Sequence, residues 1–569
     1  MVKNENYFVL ASIIVILFIL MMSVVDLNYY IRKNKENSKM ETKNTLHMLK
    51  EERPAVLNPD CLIVAGEDKS DSIGIVEGSL EKAKIDYMLK VKFEDITDDE
   101  LQSAETIIIN GSEFGSLGNA DMLLKYLKKG KHIIFTSMPS VDNIETSGLK
   151  EIMGIKNITQ PQNQEGVEFL QGFMIGGVLE LPKLLYKAPK VELVSTTKSY
   201  VTGSKKSAVI WRNTYGESEI YVVNGPFFET NAGYGILSAI MAQINLDYIY
   251  PVVNAKVFTY TGLPYASYEN TGELEEIYNR NAMQVQQDIL IPDVISINKS
   301  RSLIPSGFLT DRFNKGYEDG INKYSKKQIN NSEKDIYKLG GEVGIVYSGD
   351  LEKDIEIFHD LFNNNNFKSI RVNEENLEAL SELIDKEQFS FIESVLGPWT
   401  VKKKSFEYLN ENTVYIPFTI DGIANTDLDK LDLYSGITAF GAIIQNLDLE
   451  QIIFPKENKD NWMNVSRDYI KFIDSYRKKF EMIESRNITD TAESVKKLQN
   501  NSPAIEYLNN KIELRFKEWY GESYYILRTN KEVESIIEGN IEKIEAGVYL
   551  VTAKNKKVDI NLRQINKYE

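Results

Sequence analysis

The sequence contains almost no cysteine and little histidine. Cys61 is the only cysteine among 569 residues, and the three histidines are His47, His132 and His359. These counts exclude an intramolecular disulfide, a zinc site with four Cys/His ligands and an iron–sulfur cluster. A metal centre built on histidine would have to gather its ligands from three widely separated positions. We therefore expect neither a metal nor another cofactor.

The sequence also lacks an excess of positive charge. It has 66 lysine and arginine residues against 83 aspartate and glutamate residues, a formal net charge of −17. Nucleic-acid binding needs a basic surface that neutralises phosphates, so we expect no nucleic-acid partner. A cationic partner would instead be attracted over long distances.

The remaining composition is that of a folded protein, with 42% apolar and 26% charged residues. At roughly 100–200 residues per domain, the length predicts several folded units. We assign an amino-terminal tail at 1–6, a transmembrane helix at 7–25, a stalk at 26–59, an α/β domain at 60–252, a (β/α) barrel at 253–500 and a small β module at 501–569.

The transmembrane assignment follows from a long apolar run, Tyr7–Val25, that carries no charged side chain. A helix of that length crosses about 30 Å of hydrocarbon. The run is longer than a typical signal-peptide core, and no small-x-small cleavage site follows it, so we expect an uncleaved anchor. The stalk is polar and closed by Pro54 and Pro59.

Two features of the sequence predict opposite locations for the soluble domains relative to the membrane. The basic residues that follow the apolar run outnumber those before it, which by itself places the domains in the cytoplasm; they are Arg32, Lys33, Lys35, Lys39 and Lys43. Amino-terminal anchors before long domains are a frequent exception to this rule. The family resemblance given below implies an extracytoplasmic location, which we take as the expectation.

Strand-like and helix-like segments alternate in the first soluble domain. Strands are predicted from Cys61, at Thr106–Gly115 and at His132–Ser140, and helices at Ile73–Lys84 and Ala120–Lys129. This alternation predicts a parallel sheet with helices on both faces. The layout resembles flavodoxin-like and glutamine-amidotransferase-like modules.

Catalysis by this first domain is not expected. An amidotransferase needs a cysteine nucleophile on a strand-to-helix turn. The corresponding position near Ser137–Met138 has no cysteine, and Cys61 opens the first strand, where a small buried side chain is the natural interpretation. Gly66–Asp68 after that strand does not match a phosphate-binding glycine pattern, which argues against a nucleotide site.

A second alternating series predicts an irregular (β/α) barrel, whose site would lie at the carboxyl ends of its strands. A helix is predicted at Leu351–Asn363, and the main strands are predicted at Lys256–Gly262, Asp293–Asn298, Gly340–Asp350 and Val414–Gly422. After the barrel, Val465–Phe480 has helical periodicity. Period-two segments that include Ile512–Trp519 then predict the antiparallel β module.

The segment Gly340–Asp350 resembles the Gly-His-Glu-aliphatic-Gly-x-His-x₃-His motif of NodB-type polysaccharide deacetylases. The motif residues Gly340, Glu342, Val343 and Gly344 are present. The three histidine positions are occupied by Gly341, Val346 and Asp350, of which the last two would bind metal in the family. The first barrel strand should end in acids, but it reads Phe258-Thr259-Tyr260-Thr261-Gly262.

The order of the parts, including a late Leu433–Gly436 segment, is similar to an uncharacterised deacetylase-related family encoded in Gram-positive Pel-type exopolysaccharide (biofilm) clusters. This resemblance implies a membrane-anchored, extracytoplasmic accessory protein of polymer synthesis, modification or export. With the histidines lost, we expect a pseudoenzyme that binds an amino-sugar polymer or polysaccharide synthase components. A partly deacetylated, cationic polymer would suit the net negative charge. The alternative is an active metal-dependent N-deacetylase with a rearranged site.

Aromatic rings that stack on sugars are the candidate ligand-binding residues at the barrel mouth. We select five residues as candidates for sugar binding: Tyr260, Tyr265, Tyr347, Asp350 and Trp399. Each ring also fits an ordinary place in the core. A carboxylate pair of the glycoside-hydrolase type, drawn from Asp311, Glu393 and Asp421, is a weaker alternative. No residue is assigned a catalytic role.

Overall fold

Short buried strands and amphipathic helices alternate along most of the chain, as the sequence predicts. The computed structural model describes residues 59–66, 71–263, 276–280, 282–310, 331, 333–361, 367–399, 405–423, 426–449, 452 and 461–564. The predicted tail, the transmembrane helix at 7–25 and nearly all of the stalk lie outside these residues. Among the described helices, none combines the length and apolar character needed to cross a membrane.

The first domain is built on a nine-stranded sheet in the order β2-β1-β3-β4-β11-β10-β9-β6-β7, with β5 and β8 forming a separate pair. Its strands are β1 (Cys61–Val64), β2 (Tyr87–Lys90), β3 (Thr106–Ile109), β4 (His132–Phe135), β5 (Ile155–Ile158), β6 (Gln162–Phe169), β7 (Leu179–Ala188), β8 (Val191–Leu193), β9 (Lys198–Gly203), β10 (Ala208–Tyr215) and β11 (Ser218–Val223). Its helices are α1 (Asp71–Ala83), α2 (Asp98–Ser103), α3 (Phe114–Leu117), α4 (Ala120–Leu127), α5 (Val141–Thr146) and α6 (Leu149–Ile152).

This sheet corrects the prediction of a purely parallel sheet. Strands β2, β1, β3, β4 and β11 run parallel. The other four strands, β10, β9, β6 and β7, continue the sheet in antiparallel pairs. They are joined by loops and by the short strand β8 rather than by α-helices, and antiparallel strands need no helix between them.

The barrel sheet has the order β18-β19-β17-β16-β15-β14-β13-β21-β20 and is parallel except at β18. Two elements precede it, α7 (Ala232–Ile244) and β12 (Asp247–Val252). Its strands are β13 (Ala255–Leu263), β14 (Pro305–Leu309), β15 (Glu342–Val346), β16 (Ser369–Arg371), β17 (Ser394–Pro398), β18 (Glu407–Tyr408), β19 (Val414–Phe418), β20 (Ile420–Asp421) and β21 (Ala442–Asp448).

One continuous segment pairs with both edges of this sheet. Strand β19 pairs with β17, and β20, which begins two residues after β19 ends, pairs with β21. Between them, the Thr419 N–H donates to Ile444 O at 2.8 Å. The sheet therefore curves into a barrel, and the carboxyl ends of its parallel strands meet at one mouth.

The helices around the barrel are α8 (Ala282–Val285), α9 (Ile291–Arg301), α10 (Leu351–Leu361), α11 (Leu377–Ile384), α12 (Asp427–Phe440), α13 (Trp462–Arg477) and α14 (Ile488–Asn500). The predicted strand at Asp293–Asn298 is wrong, because these residues lie in α9. A proline in the first helical turn favours the helix, and Val294, Ile297 and Asn298 are buried at helical spacing. The second barrel strand is instead β14.

The carboxyl-terminal module is a two-sheet β-sandwich. Its strands are β22 (Pro503–Leu508), β23 (Lys511–Phe516), β24 (Ser523–Thr529), β25 (Glu532–Ile537), β26 (Gly539–Glu545), β27 (Val548–Ala553) and β28 (Lys557–Arg563). The sheets have the orders β12-β24-β27-β26 and β22-β23-β28-β25. Strand β12, from before the barrel, thus completes a sheet that the sequence predicts entirely within 501–569. All these elements belong to one compact unit, Val56–Leu409 with Thr413–Glu569.

Helices α7 and α12 cross at very close range and join the first domain to the barrel. The Gly235 N–H of α7 donates to the Ser435 hydroxyl of α12 at 2.9 Å, and that hydroxyl donates to Asn231 O at 2.8 Å. A methyl group at Gly235 would lie 2.6 Å from Ser435 Cα and 2.8 Å from Met174 Cε. Only glycine permits this approach.

We predict that Gly235→Ala destabilises the protein by about 1–3 kcal/mol, because the added methyl group meets backbone that cannot move without separating the helices. Urea unfolding measures the effect. Gly78→Ala in α1 is the matched control, since it also replaces a glycine inside a helix but its nearest new neighbour is the Tyr234 hydroxyl at 3.2 Å. Equal stability changes in the two variants would contradict the prediction.

A second prediction concerns Asp432 on α12. Its Oδ1 is buried without a hydrogen-bond partner in the described structure. Burial, assisted by the charge of Asp429, raises the pKa of Asp432 from 3.8 to about 7. The folded state therefore holds a proton that the unfolded state releases, so this group lowers stability as pH rises from about 4 to about 7, by up to roughly 4 kcal/mol.

We expect Asp432→Asn to remove that dependence. Relative to the parent, the variant should gain stability at pH 8 and gain much less at pH 5, as measured by urea unfolding at both pH values. The exposed carboxylate variant Glu378→Gln serves as the control. A gain from Asp432→Asn that is the same at both pH values would show that this carboxyl is not the titrating group.

Candidate functional site

Polar side chains gather at the carboxyl ends of the barrel strands. The pairing register places Thr259 of β13 beside Asn446 of β21, and Asn446 beside Asp421 of β20. Two residues further along, Thr261 pairs with Asp448. Partners in parallel strands share a face, so these side chains form one polar wall.

Asn446 organises this wall. Its side-chain oxygen accepts hydrogen bonds from the hydroxyls of Thr259 at 3.0 Å and Thr261 at 2.7 Å. Its amide nitrogen donates to Asp421 Oδ1 at 2.8 Å. Asn446 is completely buried, whereas Asp421 is exposed at the end of its strand. The network therefore leads from the barrel interior to the solvent.

Arg371, the last residue of β16, supplies a positive charge to the same space. Its guanidinium lies 6.0 Å from the centre of the Phe418 ring, and its Nε is buried without a partner in the described structure. Burial lowers the pKa of Arg371, while the charges of Asp421 and Asp448 oppose that shift. We call this group the barrel mouth: Thr259, Thr261, Arg371, Asp421, Asn446 and Asp448.

The barrel mouth combines groups suited to hydrogen bonding a polar ligand. A guanidinium donates, carboxylates accept, and hydroxyl and amide groups do both. Sites for polar ligands characteristically combine a few such groups with apolar walls. Phe418 provides an apolar neighbour that is itself 5% exposed.

The described residues of the barrel mouth do not fit the metal site of a NodB-type deacetylase. Of the histidines, His359 is exposed on α10, His132 Nδ1 accepts the Glu219 N–H in the first domain, and His47 lies outside the described residues. Within the described ranges, no three His, Cys, Asp or Glu side chains are grouped as a metal site requires. The donors present are two carboxylates beside a guanidinium, which is a poor set for zinc.

The motif glutamate has a structural partner. Glu342 begins β15, at the end of the barrel away from the mouth, and accepts the Thr489 N–H of α14 at 3.0 Å. Burial raises the pKa of Glu342. Of the replaced histidine positions, Gly341 precedes β15 and Val346 ends it. Asp350 caps α10, where it accepts the Lys353 N–H at 3.2 Å.

Two of the predicted sugar-binding rings are packed inside the protein. Tyr260 is 1% exposed and its hydroxyl lies 3.3 Å from that of Tyr469, on the helix-covered side of β13. Trp399 packs against Tyr234 and Phe440, with ring centres 5.8 and 6.0 Å apart. Neither ring has a free face for stacking in this structure.

The other predicted residues are not part of the barrel mouth as described. Tyr347 is buried, and Asp350 lies near it, since the charge of Asp350 acts on the Tyr347 hydroxyl. Tyr265 lies outside the described residues, as does Asp311. Glu393 precedes β17 and pairs with Lys368 at 2.7 Å, at the opposite barrel end from Asp421. The structure thus separates Glu393 from Asp421.

Sequence reasoning missed Arg371, Asn446 and Asp448. Each stands at or near the carboxyl end of a strand that is otherwise apolar, in SIR and AIIQNLD. That position is a usable signal once the strand is recognised. β16, with three residues, is too short to be recognised from periodicity, and β21 was not among the predicted strands.

The described strand ends of the first domain carry a buried cysteine, Cys61, and a hydrogen-bonded serine, Ser137. Burial raises the pKa of the Cys61 thiol, which agrees with a structural cysteine. The Ser137 hydroxyl donates to Asn110 Oδ1 at 3.1 Å and accepts the Ser112 N–H at 3.0 Å. These contacts join the segment that follows β3 to the segment that follows β4, so the Ser137 hydroxyl has a structural role.

The comparisons with known proteins agree with this geometry at the level of fold. The sequence model of a family described as "Uncharacterised protein conserved in bacteria (DUF2194)" matches residues 394–550, from β17 to β27. The sequence matches none of the curated proteins with which it was compared.

Among solved structures, Agd3, described as a novel carbohydrate deacetylase, is similar with a TM-score of 0.52 at 9% identity, covering 89% of this chain and 99% of that chain. A candidate polysaccharide deacetylase from Mycobacterium smegmatis has a TM-score of 0.28 at 12% identity over 42% of this chain and 90% of its own, too low to support an inference. The chain therefore has a mixed α/β fold like that of a carbohydrate deacetylase.

We predict that Asn446→Leu destabilises the protein, because it removes the shared partner of Thr259, Thr261 and Asp421. Each buried group left unpaired costs roughly 1–3 kcal/mol. The double variant Thr261→Val/Asn446→Leu should recover part of the loss, since an unpaired hydroxyl is then absent. Urea unfolding of both single variants and the double variant tests this. If the loss in unfolding free energy of the double variant equals the sum of the two single-variant losses, Thr261 and Asn446 are not coupled and the proposed hydrogen-bond network is contradicted.

Proposed function

We propose that this protein binds an amino-sugar polysaccharide at the barrel mouth and acts without deacetylase chemistry. The observation that carries the proposal is the partly buried guanidinium of Arg371, whose Nη1 donates to Asn373 Oδ1, whose Nε has no partner in the described structure, and which shares the mouth with Asp421 and Asp448. In a deacetylase-like fold this is the place where substrate would be held. The groups present favour hydrogen bonding of hydroxyl and acetamido groups over metal binding.

The cellular role is the finer part of the proposal. The apolar run at 7–25 supports attachment to a membrane, with the soluble domains outside the cytoplasm. The similarity in the order of parts supports a role in exopolysaccharide synthesis, modification or export of the Pel type. In that role the protein would present polymer to synthase components or receive it from them.

Binding of short N-acetylhexosamine oligomers and their deacetylated counterparts to the full-length protein, measured by calorimetry, tests the proposal. We expect Arg371→Met to weaken binding about tenfold or more, because it removes a charged hydrogen-bond donor from a buried site. Arg563→Met is the matched control, since it removes the same charge from an exposed position in the β-sandwich. Equal binding by the parent and Arg371→Met would refute a ligand site at the barrel mouth.

The alternative is an active N-deacetylase with a rearranged site. A measurement of acetate release distinguishes this alternative from binding without catalysis. The full-length protein would be loaded with zinc, cobalt or nickel and incubated with the acetylated oligomers. We expect no acetate above the level of the control without protein. Acetate release that Asp421→Asn and Asp448→Asn abolish would overturn the non-catalytic proposal and assign those carboxylates to the reaction.

A further inference from the structure

A cavity of about 350 Å³ lies at the amino-terminal edge of the first sheet, and none of its lining residues belongs to the barrel mouth. Its walls come from the starts of β1 and β3, the carboxyl ends of α1 and α7, and the sandwich strands β12, β22 and β24. Its volume falls within the range of about 300–1,000 Å³ common to small-ligand sites. It opens where the first domain meets the β-sandwich.

One wall of this cavity is acidic. The exposed carboxylates of Asp60 and Glu105 line it, and the Asp86 N–H donates to Asp60 Oδ2 at 3.4 Å. Burial raises the pKa of Asp60, and the charges of Asp86 and Glu105 add to that effect. Lys84 also lines the cavity, and its ammonium donates to Gln499 O at 2.9 Å. The two carboxylates outnumber this one lysine. The wall therefore favours a cationic group.

The opposite side is aromatic. Tyr507 stands at the rim with 48% of its surface exposed, and its hydroxyl accepts the Ile249 N–H at 3.4 Å. Tyr248 lines the cavity and is only 6% exposed. In the part of the chain that the structure describes, no group hydrogen-bonds the Tyr248 hydroxyl. A phenol hydroxyl that lines a cavity without a protein partner is available to a ligand, both as a donor and as an acceptor.

We propose that this cavity binds an amine-bearing sugar residue, with the ammonium at Asp60 and Glu105, a hydroxyl at Tyr248 and a ring face on Tyr507. Carboxylates pair with ammonium groups, and tyrosine rings offer an apolar face to a pyranose. The choice of an amino sugar as the ligand rests on the proposed polysaccharide function. The existence of a binding site here is argued independently, from the cavity and the residues that line it. The protein would then hold a deacetylated stretch of polymer here, apart from the barrel mouth.

The test is calorimetric binding of a short, fully deacetylated glucosamine oligomer to the full-length protein. We expect the double variant Asp60→Asn/Glu105→Gln to weaken binding about tenfold, because two charge-assisted contacts are lost. Tyr248→Phe, which removes only the hydroxyl, should weaken it by a smaller factor. Both acids are exposed, so neither substitution should disturb folding, which a thermal unfolding curve checks.

The matched control is Glu165→Gln/Glu168→Gln, which removes two exposed charges from β6 of the same sheet. It should leave binding unchanged within about twofold, because it alters only the long-range field. If both double variants weaken binding equally, the attraction is unspecific and the proposed site is refuted. Unchanged binding by Asp60→Asn/Glu105→Gln, or no binding by the parent protein, also refutes it.

The two sites can fail separately. Loss of binding in Asp60→Asn/Glu105→Gln with no effect of Arg371→Met on either oligomer would support this cavity and refute the barrel mouth. Binding of the acetylated oligomer that depends on Arg371, with no glucosamine binding, would support the barrel mouth and refute this cavity.

Discussion

The crossing of α7 and α12 is the contact on which the architecture depends. At Gly235 and Ser435 the helices approach so closely that backbone of one meets backbone of the other. A neighbouring loop extends the contact, since the Ile175 N–H donates to the Thr438 hydroxyl at 3.1 Å and the Gly176 N–H donates to Glu545 at 3.1 Å. The first sheet, the barrel and the β-sandwich are therefore held by one set of contacts, and a volume change there would affect all three.

The two proposed ligand sites, the barrel mouth and the cavity beside the β-sandwich, are formed in different ways. The barrel mouth is formed at the carboxyl ends of parallel strands, where strand ends leave polar groups unpaired. The second cavity exists only because the sandwich takes β12 from before the barrel and so packs beside the first sheet. Both depend on strands that lie far apart in the sequence.

The described residues of the barrel mouth place a guanidinium beside two carboxylates. In a metal site the carboxylates face a cation that polarises the substrate and lowers the pKa of bound water. Among the described residues of the barrel mouth, the cation near Asp421 and Asp448 is the guanidinium of Arg371, a hydrogen-bond donor of fixed charge. Glu342, from the deacetylase-like motif, anchors α14 below the barrel. The polar groups of the barrel mouth lie at the opposite end of the barrel.

Many local elements and the broad fold class can be predicted from periodicity alone. The apolar runs of β13 and β15 and the helices α1, α10 and α13 are such elements, and the Gly340–Gly344 resemblance indicates a deacetylase-like barrel. Which strand-end residues share the barrel mouth could not be predicted, because Thr261, Arg371 and Asn446 come together through strand register and sheet curvature. The inward or outward direction of Tyr260 and Trp399 could not be predicted either. In the fold both side chains pack against helices, and a shift of one residue along a strand would move a side chain to the other face of the sheet.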